Sequence, residues 1–257
     1  MTDHLDKLAN TALDTVDSGY YALGAVPPPS SRPSFVAALR DHPHRSVIAE
    51  VKPSSPSGGR LIGERSPNSV VDLYAKTPVS GLSVLVEPVH FGGSLQTLRY
   101  ATNKGVPVLF KDFVLDPVQL DAAAACGAAA VLLILALFER GYARLPLAEM
   151  IDAARARGLE VLLEVYNGKE YARSLATRAD MIGINNRDLK TLEVDLDTTK
   201  AVLGCCDKDR PVWSLSGVNA LADLQYLERC GADAFLVGSA LMRSKHPQKL
   251  LEQLLRQ

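Results

Sequence analysis

Short runs of apolar, often β-branched residues recur along the chain, and segments with helical periodicity separate them. The runs are too continuously apolar for strands that face water on one side. They therefore predict the strands of a parallel sheet that is covered by helices. Eight strands are predicted in this way, at residues 47–51, 82–87, 106–113, 130–137, 160–165, 181–186, 211–216 and 234–238.

Three of the intervening segments carry signals of helix ends. Residues 117–126 have a proline in the first turn, residues 147–157 have apolar positions at helical spacing, and residues 219–230 begin with a capping residue. A glycine follows each segment before the next strand begins, namely Gly127, Gly158 and Gly231. Repeated junctions of this kind predict a series of β-α units.

The number of units and the length of the chain predict a (β/α)8 TIM barrel. Such barrels commonly have about 250 residues, and this chain has 257 residues without a linker that would divide it. The alternative is an open, doubly wound sheet, which expects a Gly-x-Gly-x-x-Gly turn that is absent after the first strand. Residues 1–46 are predicted to form an N-terminal helical extension with a proline-rich connector at Pro27–Pro29, and residues 47–257 the barrel, in a single domain overall.

Charge and hydropathy narrow the functional classes. The formal net charge is −1 and the basic residues are scattered, so we expect no nucleic-acid partner. The most apolar stretch, residues 128–138, is too short to cross a bilayer as a helix. The opening residues MTDHLDKLAN lack the basic and then apolar pattern of a signal peptide. We therefore expect a cytoplasmic protein without a membrane partner.

Cysteine and histidine spacing gives no sign of a metal site. His42 and His44 have no cysteine or carboxylate cluster of ligand spacing beside them. The cysteines form no Cys-x-x-Cys pair, and we expect them to be reduced thiols. They are Cys126, Cys205, Cys206 and Cys230.

Polar side chains stand at the carboxyl ends of five predicted strands, where a barrel places its active site. Any one of them is equally well explained as a surface residue at the point where a strand leaves the core. Five strand ends with such residues favour a site, and converging lysines and glutamates can tune each other's pKa for proton transfer. The residues are Glu50, Lys52, Lys111, Glu164, Asn185, Arg187 and Ser216.

The turns after the last two predicted strands are typical of a phosphate site. Ser216 and Gly217 follow the seventh strand, and Gly238 and Ser239 follow the eighth. Glycines there let backbone N–H groups approach an anion, and a helix N-terminus adds a favourable dipole. Tight β-α turns need glycine in any case, but the position in both of these turns favours phosphate binding.

Several stretches near the strand ends form a specific combination of motifs. They are residues 48–52, 55–57, 91–95, 111–113, 116–117, 131–134, 164–165, 183–187 and 237–242. From about Ser34 to the C-terminus, the chain resembles the indole-3-glycerol phosphate synthase family. The predicted leading helix and connector also resemble that family's N-terminal extension, which covers the mouth of the active site.

The resemblance implies a carbon–carbon lyase (carboxy-lyase) of tryptophan biosynthesis. Its substrate would be 1-(2-carboxyphenylamino)-1-deoxyribulose 5-phosphate, which undergoes ring closure, loss of carbon dioxide and loss of water to give the indole. The family requires no cofactor and no metal. We expect a small-molecule phosphosugar partner and a monomer or weak homodimer.

The resemblance also implies roles in proton transfer. Lys111 would be the general acid that protonates the carbonyl oxygen. Lys52 would hold the phosphate or hydroxyls and could also act as the acid in dehydration. Glu164 would remove the last proton, and Glu50 would orient and tune the two lysines.

The same resemblance implies the binding residues. Asn185, counted with the catalytic group, and Arg187 would hold the substrate carboxylate. Ser55 would belong to a mobile loop that closes over the substrate. The apolar slot for the ring would consist of Phe91, Phe113 and Leu133. The phosphate site would consist of Lys52, Ser216, Gly217, Gly238 and Ser239.

One position departs from the family pattern, which usually reads Ser-Glu-Ser-Gly at the seventh strand. Here the sequence is Ser214-Leu215-Ser216-Gly217, and strand parity predicts that Leu215 points into the site. Loss of one such carboxylate can cost a few kcal/mol of transition-state stabilisation, on the order of a hundredfold in rate. Three interpretations stay open: a slower or differently tuned synthase, a specialised paralogue for a related arylamine ketose phosphate, or a mutated or engineered variant.

Other classes of function follow from the same residues. An aldolase could use Lys111 or Lys52 as a Schiff-base amine. Phosphoribosylanthranilate isomerase needs a catalytic cysteine, and none stands at a predicted strand end. A catalytically impaired phosphosugar-binding homologue is favoured by Leu215 alone, whereas the retained acid and base residues argue against it.

Overall fold

The computed structural model describes residues 3–24, 31–41 and 45–256. Its centre is a closed barrel of eight parallel strands, in which each strand pairs with its neighbours in chain order and the last pairs with the first. This confirms the predicted (β/α)8 fold. The barrel strands are β1 (Val47–Val51), β2 (Gly81–Leu85), β3 (Val108–Lys111), β4 (Ala130–Ile134), β5 (Glu160–Val165), β6 (Met181–Asn185), β7 (Val212–Leu215) and β8 (Ala234–Val237).

Helices surround the barrel. Those in the described residues are α1 (His4–Asp17), α2 (Phe35–Asp41), α3 (Pro67–Ala75), α4 (Leu95–Thr102), α5 (Pro117–Ala125), α6 (Leu135–Glu139), α7 (Leu147–Ala156), α8 (Gly168–Leu175), α9 (Asp197–Leu203), α10 (Leu221–Arg229), α11 (Ser239–Arg243) and α12 (Pro247–Leu255). Within the described ranges, no helix combines the length and apolar character that crossing a membrane requires.

Two boundaries differ from the sequence-based expectation. Residues 135–137 were expected to continue β4, but they begin α6, since an unbroken apolar run does not mark where a strand becomes a helix. Asn219 was expected to cap α10, but the helix begins at Leu221. The Asp223 carboxylate instead accepts hydrogen bonds from the backbone N–H groups of Asn219 and Ala220 at 2.8 and 2.9 Å.

Alternation along the strands separates two apolar layers. In β4, Val131 and Leu133 pack in the layer between the barrel and the helices. Leu132 and Ile134 pack in the barrel interior. Side chains of parallel strands alternate in this way because successive residues point to opposite faces.

The N-terminal extension reaches both ends of the barrel. Leu8 of α1 lies at the carboxyl ends of the strands. Phe35 of α2 lies at the amino ends, against Gly81 and Trp213. The predicted connector at Pro27–Pro29 lies outside the described residues, as do His42 and His44.

Candidate active site

A cavity of about 300 Å³ opens at the carboxyl ends of the barrel strands. Every barrel strand contributes a residue to this cavity, either from its own end or from the loop that follows it. The structure brings nearly all of the predicted site residues together there: Glu50, Lys52, Ser55, Phe91, Lys111, Phe113, Glu164, Asn185, Arg187, Leu215, Ser216, Gly217, Gly238 and Ser239.

Leu133 does not line the cavity, and this part of the sequence prediction needs correction. Its side chain packs between the barrel and the helices, and Leu132 and Ile134 line the cavity in its place. The whole of β4 is apolar, so its sequence does not reveal which alternate residues face inward.

Glu50 and Lys52 form an ion pair at the end of β1. Lys52 Nζ lies 2.8 Å from Glu50 Oε1. A Cβ atom at position 238 would lie 2.2 Å from the same oxygen, so a glycine there gives the carboxylate its space. Burial raises the pKa of the Glu50 carboxyl, but the charges of Lys52 and Lys111 outweigh burial and hold that pKa below its ordinary value. Glu50 is therefore a carboxylate that stabilises two ammonium groups.

Lys111 and Glu164 face each other across the cavity from β3 and β5. Lys111 Nζ lies 3.8 Å from Glu164 Oε2. The other carboxylate oxygen, Oε1, accepts a 2.8 Å hydrogen bond from Asn185 Nδ2. Glu164 Oε2 is buried and has no hydrogen-bond partner among the described residues. A buried acceptor that faces a lysine across a cavity is suited to receive a proton from a substrate.

Asn185 and Arg187 stand where β6 ends. Asn185 Oδ1 accepts a 3.0 Å hydrogen bond from the Arg187 backbone N–H, and Arg187 Nη1 donates to the Leu192 carbonyl at 2.6 Å. Burial and the nearby charge of Arg243 lower the pKa of the Arg187 guanidinium. A guanidinium remains charged at neutral pH, so this edge of the cavity attracts an anion.

Apolar side chains form the wall opposite this edge. The rings of Phe91 and Phe113 lie 6.0 Å apart, centroid to centroid, at 43°. Leu8 comes to the same cavity from α1. This wall gives space for a planar aromatic group.

Leu215 forms part of the barrel interior beneath the cavity. It is 2 % exposed, and one of its methyl groups would lie 2.7 Å from a Cβ atom at Gly183. The predicted inward direction is thus the one found, and an alkyl group lies beside the strand that carries Asn185.

The turns after β7 and β8 have unusual backbone conformations. Ser216 and Gly217 have φ values of 65° and 92°, in the left-handed region that favours glycine. The Ser216 carbonyl accepts a 3.1 Å hydrogen bond from Asn186 Nδ2, which holds the strained turn in place. After β8, Gly238 and Ser239 lead into α11.

Several cavity residues were not among the predicted site residues, and three of them carry charge or come from the N-terminal extension. Arg243 belongs to α11, Leu8 to α1, and Asp112 directly follows the predicted acid Lys111. Nothing in the pattern of α1 shows that Leu8 reaches the barrel mouth. The position of Asp112 next to Lys111 was a signal that could have singled it out.

Comparison with known proteins gives one consistent family. The family model described as "Indole-3-glycerol phosphate synthase" matches residues 20–254. A protein of that name from Methanothermobacter marburgensis is 37% identical over 222 residues, which cover 86% of this chain and 78% of the relative. One from Albidiferax ferrireducens is 41% identical over 224 residues, which cover 86% and 83% of the two chains. "Indole-3-glycerol phosphate synthase 2" from Ralstonia nicotianae is 37% identical over 221 residues, which cover 86% and 81%.

Solved structures with low identity share the fold alone. Mandelate oxidase with (S)-2-phenylpropionate has a TM-score of 0.62 at 18% identity, with 99% of this chain and 91% of that chain covered. Thiamine phosphate pyrophosphorylase from Pyrococcus furiosus has a TM-score of 0.59 at 15% identity, with 82% and 93% covered.

Proposed function

This chain belongs to the indole-3-glycerol phosphate synthase family, and we propose that the cavity at the carboxyl end of its barrel is where it closes the indole ring. It is a carboxy-lyase of tryptophan biosynthesis, with 1-(2-carboxyphenylamino)-1-deoxyribulose 5-phosphate as its substrate. The observation that carries the proposal is that Lys111 Nζ lies 3.8 Å from Glu164 Oε2, an oxygen that accepts no hydrogen bond from the described residues.

The charges of the cavity match a substrate with two anionic ends. The phosphate lies at the turns that contain Ser216, Gly217, Gly238 and Ser239, where Lys52 is within reach. The carboxylate lies at Arg187, whose planar guanidinium suits a carboxylate. The aromatic ring lies between these ends, against Phe91 and Phe113.

Ring closure forms a bond between the ring carbon that carries the carboxylate and the ketone carbon. Lys111 donates a proton to the ketone oxygen as that bond forms, and its positive charge stabilises the developing alkoxide. Carbon dioxide then leaves, and its bonding electron pair returns to the ring. Glu50 stays ionised during this step, because the charges of Lys52 and Lys111 hold the pKa of its carboxyl below its ordinary value.

Dehydration follows at the same site. Glu164 removes a proton from the carbon next to the ring nitrogen through Oε2, while Asn185 Nδ2 donates to Oε1 at 2.8 Å. Lys52 protonates the hydroxyl group, which leaves as water. The resulting double bond completes the indole.

Leu215 is the specific observation that favours an alternative function, that of a specialised paralogue with a related substrate. An alkyl group stands where relatives of this family usually have a glutamate, so the floor of the cavity is less polar. Some related arylamine ketose phosphates lack the hydroxyl group that would bond to that glutamate. Such a substrate would lose no hydrogen bond, and therefore no affinity, when it binds beside Leu215. A specialised paralogue is therefore the alternative function.

The working form is proposed to be a monomer or weak homodimer in the cytoplasm. Sedimentation at micromolar concentrations tests the oligomeric state. The division into an extension (1–46) and a barrel (47–257) stays a prediction.

Indole formation, followed by fluorescence with purified protein and the carboxyphenylamino-deoxyribulose phosphate, tests the function. Turnover by the wild type is expected, and Leu215→Glu is expected to raise kcat by about tenfold to a hundredfold because it restores an acceptor beside the lysines. Tight phosphosugar binding without turnover in either protein would contradict the synthase function and favour the paralogue. Leu215→Gln, which is polar but uncharged, is the control that separates charge from polarity.

A further inference from the structure

Tyr21 and Asp112 form a buried contact that the reaction above does not use. Tyr21 lies just after α1 and is 1 % exposed, and Asp112 lies just after β3 and is 3 % exposed. The Tyr21 hydroxyl donates to Asp112 Oδ2 at 2.7 Å. Asp112 Oδ1 accepts from the Phe113 backbone N–H at 2.8 Å. Both carboxylate oxygens are therefore occupied by the protein.

This contact joins the extension to the residues that perform ring closure. Asp112 stands between Lys111 and Phe113 in the chain, and all three line the cavity. The hydrogen bond to the Phe113 N–H fixes the backbone at this point. A side chain that fixes the backbone between a general acid and a ring-binding residue controls the position of both.

The other contacts of α1 are less suited to this task. Arg140 pairs with Asp3 and Asp6 at 2.8 and 2.6 Å, but these side chains are partly exposed, and such pairs contribute little. His90 Nε2 lies 3.1 Å from Thr11 Oγ1 in a partly buried contact. Tyr21 makes a buried contact directly at the strand end that carries Lys111.

Several groups surround Asp112 and influence its charge. Burial raises the pKa of the Asp112 carboxyl to about 7, although the hydrogen bonds from Tyr21 and from the Phe113 N–H lower it. Glu87, at the end of β2, raises this pKa, and Lys111 lowers it. Tyr20 also faces the pair, with its ring against that of Tyr21 at 4.9 Å.

We propose that Asp112 is a positioning residue, which Tyr21 tethers to the N-terminal extension, so that Lys111 and Phe113 reach their productive positions when α1 covers the cavity. The inference rests on the proposed function for its catalytic consequence. Its structural part, the fixed end of β3, stands independently of turnover.

Tyr21→Phe is the variant that tests the tether, with Tyr20→Phe as the matched control. Tyr20 belongs to the same segment, and its hydroxyl bonds the Val86 carbonyl and the Leu95 N–H, both at 3.2 Å. We expect Tyr21→Phe to lower kcat about tenfold through Lys111 and to raise KM by a smaller factor through Phe113. The kcat/KM profile of the wild type should inflect near pH 7, where Asp112 titrates. In Tyr21→Phe this inflection should move to higher pH, since the lost hydrogen bond had lowered the pKa of Asp112. Tyr20→Phe should keep the wild-type profile.

Two variants of Asp112 add a test by conservative replacement. Asp112→Asn keeps an oxygen that accepts from the Phe113 N–H, and its amide can donate to the Tyr21 hydroxyl, so it should retain more activity than Asp112→Ala, while the inflection near pH 7 disappears from both. Equal kcat in the wild type and Tyr21→Phe, or equal losses in Tyr21→Phe and Tyr20→Phe, would overturn the proposal.

Hydrogen exchange of the peptide that contains residues 109–115, in wild type and both tyrosine variants, needs no substrate. Faster exchange in Tyr21→Phe than in Tyr20→Phe is expected, and equal exchange would overturn the tether. If the wild type shows no turnover, the proposed function fails, and this measurement alone decides whether the tether exists.

Discussion

At both ends of the barrel a carboxylate binds the N-terminal extension, and this carboxylate is buried at the carboxyl end and half-buried at the amino end. At the carboxyl end, Asp112 accepts from the Tyr21 hydroxyl. At the amino end, Glu160, the first residue of β5, accepts from the Phe35 N–H at 2.8 Å and from the Ser34 hydroxyl. Burial raises the pKa of both carboxyls, so keeping a charged carboxylate away from water costs free energy at each end.

What surrounds the two carboxylates differs. At the amino end, the ring of Phe35 packs on Trp213 at 5.1 Å between centroids. A Cβ atom at Gly81 would lie 2.3 Å from the Phe35 ring, so the contact is tight and apolar. At the carboxyl end, the residue beside Asp112 is Lys111, and a cavity opens. The comparison teaches that one segment stabilises the fold at one end of the barrel and prepares chemistry at the other, in keeping with the division of labour in such barrels.

Lys111→Met should show the largest effect and should act on chemistry alone. We expect kcat to fall by about 10⁴-fold, equivalent to about 5 kcal/mol, because both the proton donor and its charge are lost. The free energy of unfolding should change by less than about 2 kcal/mol. Steady-state indole formation and urea denaturation measure the two quantities.

Lys104→Met is the control for that substitution. Lys104 lies over the Tyr100 ring at 4.0 Å and pairs with Asp72 at 2.7 Å, away from the cavity. It should keep the wild-type kcat. Residual activity above one tenth of the wild type in Lys111→Met would show that another group is the acid.

Phe35→Ala should show the opposite behaviour at the amino end. The free energy of unfolding should fall by about 3 to 4 kcal/mol, because a fully buried ring is lost and a cavity remains. The kcat of the folded protein should stay within about twofold of the wild type.

Phe91→Ala makes the same chemical change at the carboxyl end. Phe91 is only partly buried, so the loss of stability should be less than about 2 kcal/mol, while KM rises. If Phe35→Ala and Phe91→Ala changed the free energy of unfolding and KM by similar amounts, the two ends of the barrel would not differ in the roles given to them here.

The sequence predicted what depends on local pattern. The eight strands follow from apolar runs, and the three glycines after α5, α7 and α10 have φ values of 84°, 69° and 100°, as helix ends require. The polar residues at the strand ends could also be predicted, because a barrel brings the carboxyl ends of all its strands to one opening.

What the sequence did not predict depends on side-chain direction and distant contacts. Leu133 was placed in the site by the family resemblance, and its equally apolar neighbours show no period of two that would have pointed to Leu132 and Ile134 instead. Tyr21 and Asp112 are 91 residues apart in the chain, and no local pattern joins them. Phe35 was expected within a short helix, but its place beneath the barrel comes from packing against Trp213 and Gly81.

The smallest expected effect concerns the pH dependence of stability at the carboxyl end. The pKa of Asp112 is about 7 in the folded protein and 3.8 as its ordinary value, so the folded state binds more protons between these values. The stability that this group contributes therefore falls as pH rises through this window. From pH 6 to pH 7 the loss is about 1 kcal/mol, since about three quarters of the folded molecules carry the proton on average.

Asp112→Asn removes this proton and should flatten that part of the curve. Other titrating groups are common to both proteins, so they cancel to a first approximation in the difference between wild type and variant. Urea denaturation at pH 6 and pH 7 should show the wild type losing about 1 kcal/mol more than Asp112→Asn. Parallel curves would mean that Asp112 is ionised throughout this range. The carboxylate at the carboxyl end of the barrel would then keep one charge state between pH 6 and pH 7, and the two ends would not differ in this respect.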